Sequence, residues 1–347
     1  MTGDKQGESA DRHLARLRAE QINWLKDCQI LEPGQATDGA IRSYPDQGTV
    51  KPYFANFAAL ALLDDPPTAP LVRRYMDWYV RHLEDNGTIR DYQYDAGSGG
   101  RTSRPDSEDA YAGTFLYLAA RYHQVCPGDT WVGENLPALK KVAGVITGLM
   151  DTDGLTFALA NYRVKYLMDN CEAYRGLADF AGLLAELGDD HAACFRGRAA
   201  RIKAGIEKVL WNPRRQVYQP SGAGLLRPRV NWRKFYPDAT CQIFPALYGL
   251  ISPASPRAFQ LYRDFNRYQP QWTQIRPPDF PWVILAYWAA RQGGCLRARE
   301  KLLFVQQAYV DAHAGSWFCA EAAFFVLTSS LLLQQGRDDP TGPVPVR

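Results

Sequence analysis

Histidine is scarce in this sequence and cysteine chemistry has no pattern. The five histidines are scattered over 347 residues without HExxH or facial-triad spacing, so zinc and iron sites lack their usual ligand signature. Cys28, Cys126, Cys171, Cys194, Cys241, Cys295 and Cys319 are odd in number and contain no CxxC pair. Buried reduced thiols are expected, not disulfides. No metal or cofactor is therefore expected, with carboxylate-bound calcium left open. There is also no basic block: the net charge of +3 is spread along the chain, which leaves nucleic acid and anionic membrane surfaces without an electrostatic footprint. No apolar run reaches membrane-spanning length, and "MTGDKQGESADRHLARLRAE" has no apolar signal core. A cytoplasmic protein without membrane partners is the expectation.

Period-2 alternation is nearly absent as well, which removes all-β architectures. Apolar residues instead recur at helical spacing through most of the chain. The pattern predicts twelve helices, near 11–30, 51–63, 69–84, 106–124, 134–150, 168–187, 189–210, 237–251, 256–268, 281–292, 295–311 and 317–335, with ends marked by breakers such as "LEPGQATDG", "DDPPTAP" and "RPPDFPW". Even-numbered helices are apolar and rich in small residues ("YFANFAALALL", "AYAGTFLYLAA"), whereas odd-numbered ones carry Arg and Lys on one face ("HAACFRGRAARIKAGIEKVL"). Short turn-plus-extended segments such as "TDGAIRSY", "DNGTIRDYQY", "TDGLTFALANY" and "NPRRQVYQPSG" follow several outer helices. Inner and outer helices in alternation predict an all-α fold, an (α/α)6 toroid of six helical hairpins. It forms one domain over 11–336, with flexible ends at 1–10 and 337–347.

In such a ring the starts of the six inner helices share one mouth, and acids gather there. Asp106 and Asp109 open the fourth helix, Asp169 and Glu172 the sixth, Asp238 the eighth and Asp279 the tenth, while Glu321 lies early in the twelfth. Acids at helix N-termini are ordinarily caps that meet the positive end of the dipole. The pairs Asp106/Asp109 and Asp169/Glu172, each three residues apart, share a helix face, and like charges so close raise each other's pKa. Such crowding points to use, with Glu172 the strongest candidate. Aromatic residues accompany the acids, among them Tyr44, Tyr53, Tyr92, Trp232, Trp282 and Trp317, with Arg175 nearby in the sixth helix. Each alone reads as core. Together, carboxylates that accept hydroxyl hydrogen bonds and flat rings that stack on sugar C–H faces suit a carbohydrate.

The stretch "YLMDNCEAYRGLADFAGLLAEL" resembles the six-hairpin glycosidases, specifically the glucoamylase-type segment in which Asp-x-x-Glu opens the sixth helix. That resemblance implies a general acid at Glu172 with Asp169 beside it, although Cys171 stands where that family has tryptophan. "FYPDATCQIFPALYG" is similar to the Tyr-Asp-Ala-x-Arg-x-Pro segment of bacterial endoglucanases of the same superfamily. It implies a base at Asp238, with Gln242 in place of the arginine. The motif likeness covers short stretches; the hairpin rhythm covers most of the chain.

The expected activity is hydrolysis of an oligo- or polysaccharide by one protonated and one ionised carboxyl, inverting, with the two groups about 6.5–9.5 Å apart. Glu172 is the expected acid and Asp238 the first choice of base, with Asp109 and Glu321 behind it. A uronate-eliminating lyase using Arg42, Arg90 or Arg175 with Tyr44 or Tyr92 is the rival enzyme. A terpene-cyclase reading of "DSED" is weaker, and a toroid that binds sugar without cleaving it is the non-enzymatic alternative.

Overall fold

The computed structural model describes residues 10–94, 100–222 and 229–338. Six outer helices, α1 (Ala10–Cys28), α3 (Ala69–Arg81), α6 (Leu136–Gly148), α8 (Ala192–Gly205), α10 (Pro256–Tyr268) and α12 (Cys295–Val305), alternate with inner helices α2 (Pro52–Leu63), α4 (Glu108–Val125), α7 (Leu167–Glu186), α9 (Phe244–Leu247), α11 (Ile284–Arg291) and α13 (Cys319–Asp338). A single extra turn, α5 (Trp131–Glu134), leads into α6. The inner helices pack α2 on α4, α4 on α7 and α7 on α9, then α11 on α13 and α13 back on α2. Arg291 Nη1 donates to Leu247 O at 2.9 Å, tying α11 to α9. Helix α1 packs on α13, so the first and last hairpins close the ring. This is the expected (α/α)6 toroid.

Burial follows from composition. In α3 the buried residues are Val72, Tyr75, Met76, Trp78 and Tyr79, one stripe at 3–4-residue spacing, as suits an outer helix. In α2 ten of twelve residues are buried, so its Ala- and Leu-rich sequence fits a helix covered all round. Gly113 and Gly176 let α4 and α7 touch backbone to backbone: a Cβ on Gly176 would stand 2.2 Å from Gly113 O. That crossing fixes the spacing of the two helices whose N-termini bear the paired acids.

The expected helix at 237–251 is instead three short pieces. A π-type turn spans Phe235–Ala239, a 3-10 turn Thr240–Ile243, and α9 is one turn long. Pro237 and Pro245 each remove a backbone donor and prevent one continuous helix. Gln242 supports the segment by accepting from Tyr218 N at 2.8 Å and donating to Tyr218 O at 2.7 Å. The expected ends of α8 and α12 are likewise split into π-type turns, Ile206–Leu210 and Gln306–Val310. The extended segments form a three-stranded antiparallel sheet, β1 (Thr49–Val50), β2 (Asp91–Gln93) and β3 (Arg101–Ser103), and a two-stranded one, β4 (Trp211–Asn212) and β5 (Val217–Tyr218).

Of the ends expected to be flexible, 1–9 and 339–347 lie outside the described residues, while Ala10 begins α1 and α13 runs to Asp338. All seven cysteines are free, with Cys28, Cys171, Cys241 and Cys319 buried and Cys194 exposed. Among the described residues no helix is long and apolar enough to cross a membrane, and no group of three or more His, Cys, Asp or Glu is arranged to hold a metal ion.

Candidate active site

A cavity of ≈ 300 Å³ opens at the N-terminal ends of the inner helices. Its walls are largely aromatic: Tyr53, Phe54 and Phe57 of α2, Tyr111 of α4, and Phe318 and Phe324 around α13. Tyr53 stacks on Tyr111 with ring centroids 5.7 Å apart. Four carboxyl side chains line it, namely Asp106, Asp169, Asp279 and Glu321. Among the described residues no lysine, arginine or histidine does.

The paired acids divide by depth. Within α7 three residues are a rise of about 4.5 Å, so Asp169 meets the cavity and Glu172 lies below it. Helix α4 begins at Glu108, two residues later than expected, so Asp106 sits in the approach to the helix and Asp109 in its first turn. Asp106 is exposed and lines the cavity, whereas Asp109 is fully buried. Asp169 lines it and is half-buried; Glu172 is 1% exposed and does not. Glu172 Oε1 accepts from Tyr53 OH at 2.7 Å and Tyr248 OH at 2.9 Å, which makes it a buried anchor beneath the floor. Burial, then the charge of Asp169, pushes its pKa well up. Asp169 is also pushed well up, by burial first and then by Asp109.

On the other side of the ring Glu321 Oε2 accepts Val283 N–H at 2.8 Å. Burial raises its pKa to about 7, opposed by that N–H and by Lys301. The delivery of Val283 N–H depends on the preceding residue: Trp282 has φ +57°, a left-handed conformation uncommon for a bulky side chain. Its indole N–H points back to Asp279, 3.2 Å from both carboxylate oxygens, and its ring packs on Phe280 and Tyr236 at 4.9 and 5.3 Å. Strain held by so many contacts is characteristic of functional sites.

Several sequence candidates lie away from the cavity. Asp238 Oδ2 accepts Asn231 N–H at 2.8 Å and its other oxygen is 3.7 Å from Lys234, so it braces the 231–234 turn and is not part of the cavity wall. Tyr44 OH donates to Gly315 O at 2.7 Å, and Tyr92 packs among Trp78, His82 and Tyr94. Trp232 stacks on Tyr268 in a separate surface groove. Trp317 is 5% exposed, its indole directed to Gln21 within the core. Arg175 pairs with Asp179 at 2.6 Å and lines a second cavity, of ≈ 330 Å³, at the opposite end of the barrel.

Sequence reading missed Asp91, Ser107, Thr156 and Tyr248. Asp91 on β2 accepts from Tyr111 OH at 2.9 Å and burial pushes its pKa up to about 6. Thr156 sits in the "TDGLTF" turn and reaches Asp109 across 47 residues of sequence, with no local signal to announce it.

No protein-family model matches the chain, and no curated protein is a significant sequence match. Solved structures do match. A glycosidase in complex with glucose superposes with a TM-score of 0.68 at 13% identity, over 94% of this chain and 100% of that one. A mannosylglycerate hydrolase of Thermus thermophilus, also with glucose, gives 0.63 at 12% identity over 92% and 100%. A rhamnosidase from Klebsiella oxytoca with rhamnose bound gives 0.62 at 15% identity over 96% of this chain and 66% of its own. At these identities the likeness establishes the toroid alone.

Proposed function

We propose that this protein is a glycoside hydrolase in which Asp169 is the general acid and Glu321 the general base. The observation that carries the reading is that both line one aromatic-walled cavity from helices α7 and α13, the third and sixth members of the inner ring and therefore opposite one another. The sugar-bound glycosidases that share the fold support it.

Asp169, raised well above the usual carboxyl range, holds the proton that the leaving oxygen needs. Glu321, ionised above about pH 7, takes a proton from water on the other face of the sugar. Two carboxyls on opposite sides of a bound ring leave room for that water, which is the inverting arrangement. Glu172 then serves indirectly by fixing Tyr53. Asp238 braces a neighbouring turn.

The cavity is at the small end of ligand sites and is closed below by Phe57 and Phe324, which suits the terminal residue of a short glycoside and exo action. Four carboxyls without a facing cation disfavour uronates. The lyase reading loses support accordingly, since Arg42 is engaged by the carbonyls of Asp27 and Cys28, Arg90 by Glu84 and Arg175 by Asp179.

The test is a panel of neutral disaccharides and small glycosides incubated with wild type, D169N, E321Q and E172Q. Release is followed by mass and the product anomer by NMR. Hydrolysis with inversion that is lost in D169N and E321Q and retained in E172Q is expected. Wild-type turnover by D169N would end the acid assignment; binding of glycans without release by the wild type would favour the non-catalytic toroid.

A further inference from the structure

Ser107 presents one hydroxyl to two carboxyl groups. Its Oγ lies 2.8 Å from Asp109 Oδ1 and 2.9 Å from Asp169 Oδ2. A serine hydroxyl has a single proton, so it donates to one of these oxygens. The other contact is favourable only when that second carboxyl is protonated and donates to Oγ. The remaining partners decide the direction. Asp109 also receives Thr156 Oγ1–H at 2.5 Å and Ala110 N–H at 2.9 Å, and a carboxylate with several donors is stabilised as the anion. Among the described residues, Asp169 has beyond Ser107 its own first-turn amide as donor.

We infer that Ser107 and Asp109 are positioning residues that keep Asp169 protonated, through the chain Asp169 Oδ2–H to Ser107 Oγ–H to the Asp109 carboxylate. The inference rests on the reading of Asp169 as the acid. Both positioning residues act through Asp169: Asp109 is fully buried, and Ser107, although it lines the cavity, has its hydroxyl engaged between the two carboxyl groups. In turnover the proton on Asp169 passes to the leaving oxygen as the glycosidic bond breaks, and the attacking water delivers its proton to Glu321. Asp169 is left as a second anion beside Asp109, with one serine proton between them. That state is unfavourable, so Asp169 recovers a proton from solvent before the next cycle, and Glu321 releases one.

The groups facing Asp169 are of one kind. Asp106 and Asp109 approach from the start of α4, Glu172 from its own helix, Tyr53 from α2, Tyr166 from the preceding turn and Tyr236 from the segment before α9. None is a cation. Burial raises both carboxyls, with Thr156, Ser107 and Ala110 pulling Asp109 back down and the charge of Asp109 pushing Asp169 further up. The two directions agree with the donor count.

The test is a pH titration of the protonated-carboxyl band by infrared difference spectroscopy on the full chain without substrate, with the Asp169 contribution identified by its loss in D169N. Removing the neighbouring charge in D109N should lower the Asp169 titration by about one pH unit or more. S107A should lower it by less, and S107T, which restores a hydroxyl, should return it toward wild type. The alkaline limb of kcat/KM, on whichever glycoside the wild type cleaves, should move to lower pH by the same amount. A D109N titration unchanged from wild type, with S107A also unchanged, would overturn the inference, as would a wild-type band that D169N does not diminish. Because the spectrum reads the proton in the absence of turnover, it is separable from the hydrolase reading, which fails instead if D169N retains wild-type activity. A purely structural role for Asp109 would alter the melting temperature and leave the titration in place.

Discussion

The two ends of the barrel are chemical opposites. At the N-terminal mouth, Asp106, Asp169, Asp279 and Glu321 face inward among aromatic rings. At the C-terminal mouth, a cavity of similar size is lined by Arg121, Arg175 and Arg291 with one carboxyl, Asp64, and Tyr117, Tyr248 and Tyr287. Helix dipoles favour this polarity for residues in the terminal turns, such as Asp169 and Glu321 at N-termini and Arg291 at a C-terminus. What distinguishes the mouths is how far their charges are satisfied. Arg175 has Asp179, Arg291 has the Leu247 carbonyl and the Tyr287 face, and Arg121 has Gln124. At the other mouth Asp169 and Glu321 are held by burial in surroundings that penalise their charged forms. One end is compensated and the other is under electrostatic tension, which is where proton-transfer chemistry is expected.

The largest effect should come from removing a carboxyl at the tense end. D169N is expected to lower kcat by about 10²–10⁴-fold, while R291A stays within about threefold of wild type; equal losses in steady-state assays would erase the distinction. Next is G176A, whose new methyl would meet the Gly113 carbonyl at 2.2 Å and force α4 and α7 apart. A loss of about 3 kcal/mol in urea unfolding is expected, and a change under about 0.5 kcal/mol would mean the crossing is not tight.

The third concerns pH. Glu321 titrates near 7 in the fold, against 4.5 for an ordinary glutamate, so the folded state binds the extra proton. Stability from this group is full below about pH 4.5 and is lost as pH rises through 7, a loss of roughly 3 kcal/mol at most. E321Q should therefore be more stable than wild type at pH 8 and nearly equal at pH 4, as read by thermal melts. A difference of the opposite sign would remove burial as the cause. The smallest effect is R291A on stability, about 1 kcal/mol for one hydrogen bond.

How legible this was differs by level. Inner and outer helices were readable because burial all round and burial on one stripe leave different periodicities, as α2 and α3 illustrate. The segment around Asp238 was misread as a helix because its apolar spacing continues while Pro237 and Pro245 break the backbone. The gathering of acids at one mouth followed from the fold, but which acid of each pair reaches the cavity did not. Asp169 and Glu172 differ by less than one turn in depth; Tyr53 and Phe57 of α2 line the cavity, and Glu172 is held beneath it by Tyr53 and by Tyr248 at the end of α9. Partners such as Ser107 and Thr156 owe their role to contacts between distant segments, on which local pattern is silent.

Phe57 and Phe324 belong to the walls of both cavities, so two side chains form part of the bulkhead between them. Trimming that bulkhead would turn a pair of blind pits into a bore along the ring axis. Under the proposed hydrolase reading, the length of glycan that the site admits would thus be set by side chains that take no part in proton transfer.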